Sequence, residues 1–375
     1  MTRLFETTDI NGMSLPNRFM RSATWEGMAT EDGEATPQLT AAMEKIVEGG
    51  VGLIISSFSY VRTDGQVARR QLGIYKDELI PALNRMTEAV HKQSGKIVMQ
   101  IMHGGVFAKP ELTSQIPIGP SEVQGLANLS GKEMAVGDIQ NIIDAFGNAA
   151  RRVKEAGFDG IQIFAGHGYL LNQFLSPFFN KRADHYGGNL EGRARIVLEV
   201  MKNVRTIVGE QYPVLIKMNS EDFLEGGLTV HESLSFGTML YHAGVDAIEL
   251  SGGTWISGNN IPARKEITRR EKEAYFQEAA RVFKRKIDVP LILVGGIRSF
   301  DVADMLVEEG LADYVSMCRP LIREPGLINR WKAGDLAKSA CLSCNQCFEP
   351  ARSGEGIYCV VEKKIREKTA GREKG

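Results

Sequence analysis

A chain of 375 residues is long enough for one large barrel with an appendage, or for two modest domains. Hydrophobic residues make up 43% and charged residues 24%, ordinary proportions for a globular protein, and the formal net charge of −1 gives no global field toward nucleic acid or a membrane surface. No apolar run approaches the roughly 18 residues of a membrane span, and residues 1–11 lack the apolar core of a signal peptide, so the chain reads as cytoplasmic.

Taken in chain order, short apolar runs alternate with longer amphipathic ones. Strands are expected at residues 19–24, 52–58, 96–102, 158–164, 214–219, 245–251, 291–295 and 314–318. Each is almost continuously apolar, as parallel strands buried on both faces must be. The helical patterns between and after them fall at about 37–48, 78–93, 136–156, 191–208, 230–242, 271–286, 300–309 and 325–332. Asp77 precedes the second helix, Thr229 with Glu232 opens the fifth, and Ser299 with Asp301 opens the seventh. Gly49-Gly50, Gly95, Gly157, Gly209, Gly244 and Gly310 each follow a periodic run and mark its end. Eight strand–helix units predict a (β/α)8 TIM barrel over residues 1–335, with a short cysteine-rich extension and charged tail over 336–375. A doubly wound sheet is the alternative, but no Gly-x-Gly-x-x-Gly fingerprint is present. The longest insertion, 108–136, follows the third strand and is expected to lie over the catalytic face as a lid or pocket wall. Residues 363–375 read as a frayed, solvated tail.

In such a barrel the chemistry lies at the C-terminal strand ends. That rule selects Thr24 and Trp25, Ser57 and Phe58, Gln100 and His103, His167 and Tyr169, and Lys217. It also selects 251–253, 295–298, and Cys318 with Arg319. Gly295 and Gly296 at strand seven, with Cys318 and Arg319 at strand eight, match the usual barrel phosphate site; tight strand–loop packing is the alternative for the glycines. Gln100 offers a donor and an acceptor to the edge of a heterocycle. Lys217 is a cation in an apolar strand, so it needs an anionic ring position or a barrel carboxylate such as Glu249.

The run Gly160-Ile161-Gln162-Ile163-Phe164-Ala165-Gly166-His167-Gly168-Tyr169-Leu170 resembles the fourth strand of the old yellow enzyme family. Asn172-Gln173-Phe174-Leu175-Ser176-Pro177, Asn180-Lys181-Arg182, Tyr186-Gly187-Gly188 and Glu191-Gly192-Arg193-Ala194-Arg195 extend the resemblance. It implies non-covalent FMN, reduced by NADH or NADPH that stacks on the flavin itself, and reoxidised by an activated alkene. By that resemblance Gln100 contacts the flavin pyrimidine edge and Lys217 faces its N1–C2 region. Ala23, Thr24 and Ser57 line the ring, with Trp25 near C4–N5, and Gly295, Gly296, Cys318 and Arg319 hold the phosphate. Tyr169 matches the proton donor and His167 the second of two groups that bind the substrate carbonyl. Two departures stand out: Phe164 replaces the first of that pair, and Trp25 stands where a Thr or Cys is common.

Four cysteines, Cys341, Cys344, Cys347 and Cys359, run with gaps of two, two and eleven residues. Four soft ligands at this spacing suit a [4Fe–4S] cluster, with structural zinc or unligated thiols as alternatives. Cys318, at the end of an apolar run, reads from sequence as a buried core thiol. The iron–sulfur branch of the family, with trimethylamine dehydrogenase and 2,4-dienoyl-CoA reductase, is similar here and implies single-electron exchange at the cluster. Few residues follow Cys359, so a separate redox partner protein or a purely structural cluster is expected. The expected activity is that of an NAD(P)H-dependent ene reductase on an enone or enoyl thioester. The alternatives are an amine dehydrogenase of the trimethylamine dehydrogenase type and an electron-transfer subunit acting in a complex. Homo-oligomerisation is left open.

Overall fold

The computed structural model of the chain describes residues 2–126 and 129–372. Eight parallel strands close into a barrel: β1 Phe19–Arg21, β2 Leu53–Tyr60, β3 Ile97–Met102, β4 Gly160–Ala165, β5 Val214–Asn219, β6 Ala247–Ser251, β7 Leu291–Leu293 and β8 Tyr314–Met317. β8 pairs with β1 through Val315–Phe19 and Met317–Arg21, which leaves no free edge in the barrel. The expected TIM barrel is therefore the fold. Its helices are α1 Pro37–Glu48, α2 Ile80–His91, α3 Val136–Glu155, α4 Leu190–Val208, α5 Val230–His242, α6 Gln277–Lys284, α7 Phe300–Glu308 and α8 Leu327–Lys332.

The capping chemistry explains where the boundaries agree and where they move. Thr229 and Glu232 form the reciprocal capping box of α5, so that helix starts where the sequence says. Asp77 instead lies in a 3-10 turn and binds Arg151 and Arg152 at 2.6 Å. α6 is much shorter than the 271–286 pattern. Ala274 adopts φ +47, and Glu273 bends away to accept from the backbone N–H groups of Arg298 and Ser299. Ser299 opens α7 without capping it, because its hydroxyl donates to Glu273. Gly157 and Gly244 end α3 and α5 at φ +79 and +78, conformations open to glycine. After α2 the left-handed position falls to Ser94 rather than Gly95.

An N-terminal hairpin, Thr8–Ile10 with Met13–Leu15, plugs the bottom of the barrel. Its Ile10, Met13 and Leu15 pack with the inward-facing Met20, Leu53, Val98, Leu215, Ala247, Ile292 and Tyr314. The insertion after β3 builds a short helix, Pro110–Thr113, and a small sheet of Ile118–Gly119, Leu129–Glu133 and Val123–Leu126. Val106, Val123 and Phe179 pack beneath it, with Phe107 leaning on this cluster. The chain end is not a frayed tail over the described residues: Val360–Arg372 is helical, and Glu362 pairs with Arg323. Residues 373–375 of that stretch lie outside the described residues. Among the described residues no helix is long and apolar enough to cross a membrane.

Leu15 is fully buried in the plug. Leu15→Ala should cost about 2–5 kcal/mol of stability, read as a lowered urea midpoint, because the closed barrel around it relaxes only partly into the cavity left behind.

Candidate functional site

Above the apolar floor the barrel interior turns polar. Glu249 of β6 is completely buried and accepts from Ser22 Oγ at 2.7 Å, Lys217 Nζ at 3.0 Å, Gln162 Nε2 at 3.0 Å and Ser316 Oγ at 3.0 Å. Lys217 also donates to Ser22 at 2.8 Å. Burial pushes the Glu249 carboxyl toward its neutral form, but Lys217 and these donors outweigh it and hold the carboxyl below its ordinary value. Lys217 thus has the carboxylate partner considered from sequence. Gln100 extends the layer by donating to Gln162 at 2.6 Å, while its own Oε1 is buried with no hydrogen-bond partner among the described residues. A buried acceptor without a donor is costly, so this atom fits a ligand N–H at the barrel mouth.

At the mouth, His167 and Tyr169 follow β4 on a strained turn. His167 adopts φ +59 and Gly168 φ +84. Side chains of neighbouring elements hold this turn. Asn219 Oδ1 accepts from His167 N at 3.0 Å and Asn172 Oδ1 from Gly168 N at 2.6 Å. Both amides donate in turn to the fully buried carboxylate of Asp222, at 2.9 and 3.1 Å. Asn172 entered the sequence reading only as part of the resemblance, and Asn219 and Asp222 were not singled out, because their role is to satisfy a turn that exists only in the closed barrel.

His167 Nε2 lies 2.7 Å from Ser251 Oγ. Burial, helped by the Lys217 charge, holds its imidazole well below the ordinary value, so the ring is neutral. Tyr169 is 5% exposed and accepts at its hydroxyl from Trp255 Nε1 at 3.0 Å. Burial drives its phenol upward despite that donor. Aromatic rings wall the pair: Phe164 stands 5.2 Å from Tyr169 and 5.1 Å from His167, and Phe58 and Phe107 stand 5.9 and 6.3 Å from Tyr169. Trp255 was missed from sequence. The parallel bridge of His167 to Thr254 is what brings it over β4. His103, selected at the end of β3, turns away to Asp64 at 3.2 Å and is fully buried.

The remaining expected residues ring the same face. A bulge in β2 between Ile55 and Phe58 re-aims Ser57, whose hydroxyl donates to Glu26, itself paired with Arg21. Thr24 is buried against the Cys318 thiol; Ala23 is half-buried. Trp25 is half-buried and donates to Arg69 O at 3.0 Å. Cys318 is half-buried rather than a core thiol and lines a cavity of about 760 Å3 between α1 and the C-terminal segment. Gly295 and Gly296 adopt φ +141 and +73 beneath Tyr275 and Phe276. Arg319 donates to Arg264 O and Asn345 Oδ1, both at 2.7 Å.

Asn345 belongs to the cysteine loop, so Arg319 ties the strand-eight end to the extension. Gly27 and Ala351 meet on its other side, and Ile357 N donates to Glu26 O at 2.8 Å. Cys341, Cys344, Cys347 and Cys359 line one small pocket together with Arg319 and Arg323. Ser343 and Asn345 take φ +53 and +63, which turns the loop between the cysteines and lets Ser343 N reach Cys341 Sγ at 3.5 Å. Burial pushes the Cys347 thiol up to about 12. Among the described residues no group of three or more metal-binding side chains stands at ligating geometry.

Residues 3–337 match the model of the NADH:flavin oxidoreductase / NADH oxidase family. The chain belongs to that family. It is 35% identical over 382 residues to NADH oxidase of Thermoanaerobacter brockii, covering 96% of this chain and 58% of the relative. It is 34% identical over 326 residues to an NADPH dehydrogenase of a Geobacillus species, covering 86% and 92%. In structure it is similar to 2-naphthoyl-CoA reductase in complex with 2-naphthoyl-CoA, with a TM-score of 0.89 and 28% identity over 96% of this chain and 56% of that one. The chain therefore spans little more than half the length of two of these three proteins. The resemblance to old yellow enzymes read from residues 160–195 is the correct one.

Because His167 is held neutral in the folded protein, the unfolded chain takes up a proton at this residue first as pH falls. Its linkage is therefore absent well above about pH 6.5, and stability drops progressively below that value toward the depressed native pKa. His167→Asn should flatten the acid side of a plot of urea midpoint against pH between 6.5 and 5; an unchanged slope would show the ring is not held neutral.

Proposed function

We propose that the chain is an FMN-dependent ene reductase that uses NAD(P)H to reduce an activated C=C bond in an enone or an enoyl thioester. The observation that carries this reading is the pairing of a proton-bearing phenol, Tyr169, with a neutral imidazole, His167, over a polar barrel layer with an unsatisfied acceptor at Gln100. The residues at the mouth fit FMN. Gln100 Oε1 would accept from the pyrimidine edge, Lys217 would face the N1–C2 region, and Ala23, Thr24, Trp25 and Ser57 would line the ring. The backbone at Gly295, Gly296 and Cys318, with Arg319, would hold the phosphate. Bound FMN supplies hydride, taken from NAD(P)H, to the β-carbon of the substrate.

The chain's own groups supply the rest. Tyr169 keeps its proton at every working pH because burial disfavours the phenolate. The Trp255 N–H occupies one lone pair of its oxygen, which leaves the O–H free to protonate the α-carbon from the opposite face. His167, with Nε2 at Ser251, has its other nitrogen available to a substrate carbonyl. Phe164 in place of a second donor leaves that carbonyl with one polar partner, and the rings of Phe58, Phe107, Phe164 and Trp255 favour a flat, apolar acyl group. The likeness to a reductase crystallised with 2-naphthoyl-CoA supports an aromatic or conjugated thioester over a small cyclic enone.

We further propose that Cys341, Cys344, Cys347 and Cys359 hold a [4Fe–4S] cluster. The convergence of four thiols on one pocket beside two arginines supports it, since soft sulfur ligands suit iron and the Arg319 charge offsets part of the burial that raises the Cys347 thiol. A cluster here would exchange single electrons with a redox partner at the chain's C-terminal side.

The anaerobically purified protein should show flavin bands near 450 nm with a broad shoulder toward 400 nm. A colourless protein that FMN does not reconstitute would overturn the reading. Tyr169→Phe should slow alkene reduction on the order of a hundredfold while sparing flavin reduction by NAD(P)H, both read by stopped flow. Equal loss in the two half-reactions would remove Tyr169 from the donor role.

A further inference from the structure

The cation expected beside the flavin is not alone. Lys217 and Glu249 lie on adjacent strands in direct register, 4% and 0% exposed, with Nζ and Oε1 3.0 Å apart. The other groups on Glu249 are the neutral Ser22, Ser316 and Gln162. The nearby His167 ring is neutral as well. The Lys217 site therefore carries a net charge close to zero, in a region where water cannot screen either partner.

We propose that Glu249 is a counter-charge that lowers the reduction potential of the bound flavin by cancelling the field of Lys217. The proposal rests on the FMN reading above. Hydride transfer from NAD(P)H, which becomes NAD(P)+, adds one negative charge at the pyrimidine end of the cofactor. A bare lysine would stabilise that charge and make the reduced cofactor a weak donor. A lysine already neutralised by a carboxylate still offers hydrogen bonds but little net field. The reduced cofactor then keeps more driving force for passing electrons to a poorly electrophilic acceptor, which suits a site where Phe164 removes half of the carbonyl polarisation. Lys217 alone would be read as a stabiliser of reduced flavin. The Glu249 contact reverses that expectation, and Glu249 acts through Lys217 as a positioning and tuning residue.

The test is a spectroelectrochemical titration of FMN bound to the full chain, which reads the preference for reduced over oxidised cofactor directly. Glu249→Gln, which keeps the shape and the serine contacts, should raise that preference at least tenfold, a positive shift of about 30 mV for a two-electron couple. Lys217→Met should lower it. Lys217→Met with Glu249→Gln, again net neutral, should return to within about threefold of the parent. A Glu249→Gln potential unchanged or shifted negative, with FMN bound, overturns the proposal and leaves the FMN reading standing. Failure of the parent protein to bind FMN would sink the FMN reading and this proposal together. Should Glu249→Gln alone not load FMN, the comparison of Lys217→Met with the double variant decides the question, because adding Glu249→Gln must still raise the preference.

Discussion

Closing eight parallel strands on themselves creates an interior reached only from its two ends, so the inward side chains must be satisfied by one another or by what enters there. The lower half of this barrel meets that demand with an apolar layer and a hairpin plug carrying Ile10, Met13 and Leu15. The upper half meets it with polarity. One buried carboxylate, Glu249, accepts from four donors on four different elements. A buried charge is tolerated only when paired and hydrogen-bonded, so Ser22, Gln162, Lys217 and Ser316 are constrained together. The layer that results is the ceiling of the folded core and the floor of the site.

The mouth above that floor is built by a second buried carboxylate. Asp222 fixes Asn172 and Asn219, and these fix the backbone of His167 and Gly168 in left-handed conformations. Strain at a functional turn persists only when its surroundings over-determine it, and here three side chains from two separate segments do so. The turn just after β3 contributes Phe107 to the wall, while the loop after β6 contributes Trp255. Chemistry at Tyr169 is thus set by loops, and the loops are set by polar groups buried just below them.

The cysteine-rich segment is joined to this machinery rather than appended at a distance. Arg319 bridges from the end of β8 to Arg264 and Asn345, and Glu26 accepts from the backbone of Ile357. The extension is therefore in direct hydrogen-bond contact with the end of strand eight and with the β1 loop.

The sequence by itself determined the barrel. All eight strands lie at or within the expected apolar runs except β2, which continues to Tyr60, and β4, which continues to Ala165. α1 and α5 match to the residue, because burial on both faces and helical periodicity are local properties of the chain. It also pointed to Tyr169, His167, Gln100 and Lys217 as candidates, which announce themselves by polarity inside apolar runs or by resemblance. Tertiary structure alone decided what those residues touch. That Lys217 is neutralised by Glu249, that Trp255 reaches Tyr169, and that Asp222 holds the His167 turn all depend on contacts between residues 32, 86 and 50 positions apart. α6 shortened for the same reason: Glu273 left its helical pattern to serve Arg298 and Ser299, about 25 residues away. Hydrogen bonds between distant buried groups have no signature in local periodicity, and only closure of the barrel brings the partners together.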